Sequence, residues 1–215
     1  MLIEYVSRRD LMTSVADQVA QELRAAIRSR GQASMAVPGG TTPRPFFEAL
    51  RVMDLDWSAV TICLTDERIV PETSDRSNTA LVKDGLLRDA AAAAQFLNIL
   101  ESPQAIEAVL PLDVIVLGMG TDMHTASLFP DALQLQDALS DAAPLVMMMS
   151  TPTGGEDRVS LTAPVLRSAR HAHVLITGAE KRAAYDIAQK ALTEAQAPIR
   201  IVLMSDPPAT VHFAE

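Results

Sequence analysis

The sequence predicts an α/β fold in which helices flank a mostly parallel β-sheet. Short apolar runs rich in β-branched residues alternate along the chain with longer amphipathic segments, a rhythm typical of parallel sheets. Several of these runs end in loops that contain glycine, proline or aspartate. The length of 215 residues fits a single domain, 1–215, with a sizeable core, and two small lobes are the alternative.

The first half of the chain supplies three strands and three helices. We expect strands at residues 2–6, 33–37 and 59–64. We expect helices at 10–29, from about Pro43 onward, and at 77–88. The first helix should have Asp10 as its N-cap, and its apolar residues recur at every fourth position, at Leu11, Val15, Val19, Leu23 and Ile27.

The second half repeats this alternation. Its strands are expected at 112–117, 144–149, 173–177 and 199–203, and its helices at the alanine run 90–94 and at 180–192. Because parallel α/β sheets bind ligands at the carboxyl ends of their strands, four loops are candidate sites. They are residues 38–44, 65–71, 118–130 and 178–181.

The charge balance restricts the class of partner. The chain has 18 basic and 27 acidic residues, a net charge of −9. A nucleic-acid-binding protein or a polybasic membrane-surface protein would need a broad basic face, so neither partner is expected. A small anionic substrate needs only a local cluster of positive charge and remains compatible with this composition.

The cysteine count and the N-terminus point to the cytoplasm. Cys63 is the sole cysteine, which excludes an intramolecular disulfide and a cysteine-based zinc site. The N-terminal residues include Glu4 and lack the apolar core of a signal peptide. No stretch approaches the length of a membrane span.

The first candidate loop contains Gly39, Gly40, Thr41 and Thr42 ahead of Pro43. The glycines permit close backbone approach, and a threonine could cap the helix that Pro43 begins. Free backbone N–H groups at such a helix start can bind an anion. A plain strand-to-helix turn is the alternative, and the lysine ending of a P-loop is missing.

The second and fourth loops carry charged candidates. Asp66 and Arg68 directly follow a buried strand, where a carboxylate and a guanidinium could bind hydroxyls and a phosphate; a surface ion-pair cluster is the alternative. Lys181 falls in the first turn of a helix, where a cation is disfavoured unless it binds an anion. Arg158, before a short strand, is a weaker candidate.

The third loop, GMGTDMHTASLFP at 118–130, is the most informative segment. Its Gly-x-Gly start is only a weak match to a dinucleotide-binding motif, because Met123 stands at the third glycine position. His124 could act as a general base, and Asp122, two residues away, could fix its tautomer. A structural or merely exposed histidine is the alternative.

Together these blocks resemble the 6-phosphogluconolactonase family. The match runs in order through PGGTTP, TDERIVP, Ser77-Asn78, LGMGTDMHTASLFP, RVSLT and GAEK. The resemblance implies a modified Rossmann-like α/β sandwich that forms one catalytic domain. It also implies hydrolysis of a sugar-phosphate lactone without a metal or cofactor, by a monomer or a homodimer.

The resemblance assigns roles to individual residues. His124 matches the family's general base, and Arg68 matches an arginine that contacts substrate. Lys181 and the loop from Gly39 to Thr42 match the phosphate-binding elements. Asp66 matches the aspartate that abstracts a proton in related amino-sugar phosphate deaminases.

Two departures from the family pattern have consequences. Met123 replaces a glycine, which would cost roughly 1 kcal/mol if that position requires a positive φ. The segment between Asn78 and Gly118 is shorter than usual.

The related amino-sugar phosphate deaminases carry a glutamate shortly after the histidine, whereas 127–130 holds no acid, which favours a lactonase. A non-catalytic sugar-phosphate sensor is the remaining alternative.

Overall fold

The computed structural model describes residues 1–40, 42–150, 155–190 and 192–215. Its strands are β1 Leu2–Glu4, β2 Ala33–Val37, β3 Val60–Leu64, β4 Asp66–Arg68, β5 Gln95–Leu97, β6 Val114–Gly118, β7 Val146–Met149, β8 Arg158–Leu161, β9 His171–Thr177 and β10 Thr210–Ala214. Its α-helices are α1 Arg8–Arg30, α2 Arg44–Leu50, α3 Asn78–Gly85, α4 Leu135–Leu139, α5 Ala163–Arg167, α6 Ala179–Ala188 and α7 Arg200–Leu203. Short 3₁₀ helices cover Trp57–Ala59, Asp89–Ala93 and Pro103–Val109.

Seven strands form one parallel sheet in the order β1-β10-β9-β6-β2-β3-β5. All five residues of β2 are buried, as expected for an apolar strand covered on both faces. The sheet grows from β2 towards β5 in one direction and from β6 towards β1 in the other. This confirms the predicted α/β fold and places a topological switch point, where such sheets bind ligands, between β2 and β6.

A second, antiparallel sheet of three strands was not anticipated. Its order is β4-β8-β7, so the predicted strand at 144–149 lies outside the main sheet. Arg68 in β4 is paired directly with Arg158 in β8. These strands are only three to four residues long, too short to produce a clear alternation in the sequence.

The long first helix begins two residues before its predicted start. Ser7 is its N-cap, and the Ser7 side chain accepts a hydrogen bond from the backbone N–H of Asp10. Asp10 therefore lies in the first turn, where its charge still complements the helix dipole, and the prediction that it is the cap was wrong.

The predicted strand at 199–203 is also wrong, because α7 occupies this run. Ile201, Val202 and Leu203 are all buried, and a short run that is apolar on every side does not distinguish a strand from a buried helix. The last strand is β10 instead. It follows Pro207-Pro208, and the polar residues Thr210 and His212 obscure its apolar pattern. The alanine run near residue 90 is a 3₁₀ helix.

A buried polar chain links the sheet to the first helix. Tyr5 Oη donates to His212 Nδ1 at 2.9 Å, His212 Nε2 lies 3.1 Å from His173 Nδ1, and His173 Nε2 donates to a Glu22 carboxylate oxygen at 2.8 Å. His173 and His212 are almost fully buried. Burial, reinforced by His173 and by the N-terminal amine, lowers the pKa of His212 to about 3.

This buried histidine should make the fold sensitive to acid. The pKa of His212 is lower in the folded state than its unfolded value near 6.5. The contribution of His212 to the free energy of unfolding is therefore fully present above about pH 6.5, and it is lost as the pH drops towards 3. Urea unfolding at pH 7.5 and pH 5 should show that the native chain loses about 2 kcal/mol more than the His212→Gln variant. Equal losses in the two proteins would contradict this expectation.

No helix in the described part of the chain is both long and apolar enough to cross a bilayer.

Candidate active site

A cavity of about 230 Å³ lies at the carboxyl ends of β2 and β6, at the switch point of the main sheet. Its lining includes eight of the ten predicted site residues, namely Gly39, Gly40, Thr42, Asp66, Arg68, His124, Arg158 and Lys181. Asp122 does not line the cavity itself but contacts His124, which does. Thr41 lies outside the described residues. The four candidate loops therefore converge on one site.

His124 and Asp122 form a close pair. His124 Nδ1 is 2.5 Å from Asp122 Oδ1, and the backbone N–H of His124 donates to the same oxygen at 3.2 Å. Partial burial would raise the pKa of Asp122, but the hydrogen bonds and charge of His124 outweigh burial and hold this pKa below its ordinary value. An ionised carboxylate only accepts hydrogen bonds. In the neutral imidazole, Nδ1 therefore carries the proton and Nε2 is the nitrogen without one.

The loop that presents this pair has the positive φ at Met123 on which the cost of replacing glycine depends. The φ angle of Met123 is 66°, in the left-handed region that costs a methionine roughly 1 kcal/mol. Hydrogen bonds hold the turn: Met123 N donates to Gly120 O, Gly120 N donates to His124 O, and Ile199 N donates to Met123 O, each at 3.0 Å. The neighbouring structure thus fixes a conformation that methionine does not favour.

Gly120 leaves the space that the pair requires. A Cβ at this position would overlap both His124 Nδ1 and Asp122 Oδ1, so Gly120→Ala should push the two side chains apart. We expect kcat/KM to fall about 100-fold, because displacements near 1 Å have effects of this size. Gly118→Ala adds a methyl group that meets no atom within 4 Å and should cost less. Equal losses in the two variants would contradict a specific effect on the pair.

Three cationic side chains, Arg68, Arg158 and Lys181, line the cavity. Arg68 and Arg158 lie directly opposite each other on β4 and β8, an arrangement of like charges that is unfavourable without an anion. Burial, and less strongly Arg68, lowers the pKa of Arg158 against the opposing effect of Asp66. Burial also lowers the pKa of Lys181. A bound anion would offset the repulsion between the two arginines and the cost of burying the charges of Arg158 and Lys181.

Asp66 is buried and held by several polar groups. One carboxylate oxygen accepts from Ser127 Oγ at 2.6 Å, the other accepts from Thr65 Oγ1 at 3.1 Å, and Arg158 Nη1 lies 3.8 Å away. Ser127 thereby ties the histidine loop to the second sheet. Within the described ranges, no group of three or more His, Cys, Asp or Glu side chains could hold a metal ion.

Glu67 was not a predicted site residue, yet it organises the neighbourhood of the cavity. Its buried carboxylate accepts from the backbone N–H groups of Arg68, Asn78 and Thr79 at 2.6–2.8 Å and from Ser77 Oγ at 3.2 Å. It therefore binds the N-terminus of α3 to β4. Strand alternation was the available signal, because it points Glu67 away from the face that Asp66 and Arg68 share.

The first loop is shaped by a close approach to α3. A Cβ at Gly39 would overlap the Asn78 side chain, whose Nδ2 donates to Asp66 O at 2.9 Å. Gly40 has a φ of 86°, which glycine adopts readily. Pro43 occupies the N-cap position of α2 without a side-chain cap, so Thr42 is not the cap that the sequence suggested and instead lines the cavity.

Comparison with known proteins agrees with this geometry. Residues 6–211 match the family described as glucosamine-6-phosphate isomerases/6-phosphogluconolactonase. A 6-phosphogluconolactonase of Rhizobium meliloti is 43% identical, covering 90% of this chain and 89% of that protein. One from Mesorhizobium japonicum is 41% identical, covering 98% and 93%. The crystal structure of a 6-phosphogluconolactonase from Shewanella baltica superposes with a TM-score of 0.94 at 31% identity, covering 100% of this chain and 97% of that one. The chain belongs to the glucosamine-6-phosphate isomerase/6-phosphogluconolactonase family.

Proposed function

We propose that this chain hydrolyses 6-phospho-D-glucono-1,5-lactone to 6-phospho-D-gluconate, as a single catalytic domain over 1–215 in the cytoplasm. The observation that carries the proposal is that His124, paired with Asp122, lines the same cavity as three cationic side chains, Arg68, Arg158 and Lys181. A base beside an anion-binding wall suits a lactone that carries a phosphate. The relatives named 6-phosphogluconolactonase support the same substrate.

In this proposal His124 moves the proton. Its Nε2 takes a proton from water as the hydroxide attacks the C1 carbonyl carbon, while Asp122 stabilises the imidazolium that forms. The tetrahedral intermediate then collapses, the bond from C1 to the ring oxygen breaks, and Nε2 returns the proton to that oxygen. The product is the open-chain acid, and His124 regains its starting state.

The remaining residues bind and orient the substrate. Lys181, Arg68 and the amides of the loop from Gly39 to Thr42 would hold the phosphate. Binding energy from this remote group orients the lactone for attack. Donors from the glycine-containing loops would stabilise the oxyanion at C1, and such a donor is worth about 3–4 kcal/mol.

The test is a coupled assay on freshly prepared lactone, with spontaneous hydrolysis subtracted. We expect turnover well above background and no detectable release of ammonia from glucosamine 6-phosphate. Ammonia release would instead support a deaminase. Tight binding of 6-phosphogluconate with lactone turnover at background would support a sensor.

A further inference from the structure

The ring of Phe129 contacts two side chains of the cavity wall. The Phe129 and His124 ring centroids are 4.2 Å apart, with their planes inclined by 37°. The guanidinium carbon of Arg158 lies 5.2 Å from the centroid of the same phenyl ring. His124 and Arg158 line the cavity, whereas Phe129 does not line it and lies behind these two side chains. Phe129 thus connects the proposed base to a cation from a different sheet.

The backbone that carries Phe129 is held in place by its own loop. Thr125 and Leu128 form an isolated bridge, with Leu128 N donating to Thr125 O at 3.0 Å, and Leu128 is fully buried. On the other side, Ala132 N donates to Phe129 O at 3.0 Å. The backbone on both sides of Phe129 is therefore fixed, which makes its ring a firm surface for its neighbours.

His124 needs such a surface. The hydrogen bond from Nδ1 to Asp122 fixes one atom of the imidazole, but the ring could still swing about that bond and turn Nε2 away from the cavity. Contact with the Phe129 ring restricts this rotation. Aromatic rings in contact attract each other and have a preferred relative geometry.

Arg158 gains from the same ring. Its Nη1 is 3.8 Å from Asp66 Oδ2, which is beyond hydrogen-bond distance. This ion pair therefore does not by itself fix the orientation of the guanidinium. A phenyl face within about 6 Å attracts a guanidinium, more strongly when the pair is partly desolvated. Arg158 is partly buried, with only 18% of its side chain exposed.

We propose that Phe129 is a positioning residue that holds His124 and Arg158 in one fixed arrangement. The inference rests on the proposed lactonase function, in which His124 moves the proton and Arg158 contributes to the anion-binding wall. Losing the ring would then affect chemistry through His124 and substrate binding through Arg158. A residue that only fills space would affect the amount of folded protein instead.

The experiment measures kcat and KM for Phe129→Leu and Phe129→Tyr, each alone and combined with Arg158→Gln. Leucine keeps an apolar side chain but removes the aromatic face. Alone, Phe129→Leu should lower kcat roughly ten-fold and raise KM about five-fold. In the Arg158→Gln background the kcat loss should remain and the KM increase should disappear. Phe129→Tyr keeps the aromatic face, so both kcat and KM should stay near their native values.

Calorimetric titration with 6-phosphogluconate gives a readout that does not depend on turnover. Phe129→Leu should weaken this binding about five-fold, and only where Arg158 is present. If the native chain binds 6-phosphogluconate but does not hydrolyse the lactone, the proposed function fails while this binding result still tests Phe129. Equal effects of leucine and tyrosine, or the same KM increase in both backgrounds, would overturn the positioning role.

Discussion

Replacing His124 with alanine should reduce lactone hydrolysis to the spontaneous background. The substitution removes the nitrogen that would accept the proton from water, and a positioned general base typically contributes 10²–10⁴-fold to the rate. Substrate binding should be retained, because the phosphate-binding residues Lys181 and Arg68 remain in place. The measurement is kcat and KM on fresh lactone with the uncatalysed rate subtracted.

The matched control is His171→Ala, because His171 is an exposed histidine at the start of β9. It should retain the native kcat and KM. Binding of 6-phosphogluconate to His124→Ala, together with its melting temperature, would show that the cavity is intact while the chemistry is lost. Full lactonase activity in His124→Ala would mean that another group activates the water.

The sequence predicted the parts of the fold whose signal is local. Apolar runs such as those at β2, β3 and β6 lie where they were expected, and the long first helix follows its spacing of four. The run at 199–203 was misassigned because its burial comes from packing on all sides, which periodicity does not reveal. The three-stranded sheet was missed because its strands are short and because β4 pairs with β8, a strand far along the chain.

The contacts of the candidate site also divide into local ones, which the sequence could predict, and long-range ones, which it could not. His124 and Asp122 are two residues apart, so their pairing could be anticipated from the sequence. The contacts of Phe129 with Arg158 and of Gly39 with Asn78 join distant segments, and only the folded chain brings them together. The pairing of Arg68 with Arg158 also depends on the unanticipated second sheet.

The net charge of −9 does not describe the cavity. Arg68, Arg158 and Lys181 line its wall together with the carboxylate of Asp66. Cationic groups placed in a cleft raise the local concentration of an anionic ligand even on an acidic protein. The acidic surface would then disfavour nucleic acid while the cavity remains open to a phosphorylated sugar.

Replacing Glu67 with glutamine should cause a large loss of stability. The carboxylate is 1% exposed and accepts hydrogen bonds from three backbone N–H groups and from Ser77. Glutamine has one acceptor oxygen, and its amide group would face N–H groups that also donate, leaving buried donors unsatisfied. We expect a loss of about 3 kcal/mol, measured by urea unfolding at neutral pH.

Glu72→Gln provides the comparison, because Glu72 is exposed and forms a surface ion pair with Lys83. Such pairs contribute little, so the unfolding midpoint should hardly move. Glu67→Gln should also raise KM for the lactone, since releasing the N-terminus of α3 loosens Asn78 and the backbone of Arg68. If both variants unfold at the same urea concentration, Glu67 does not anchor α3. If Glu67→Gln is destabilised with KM unchanged, its carboxylate stabilises the fold without shaping the cavity.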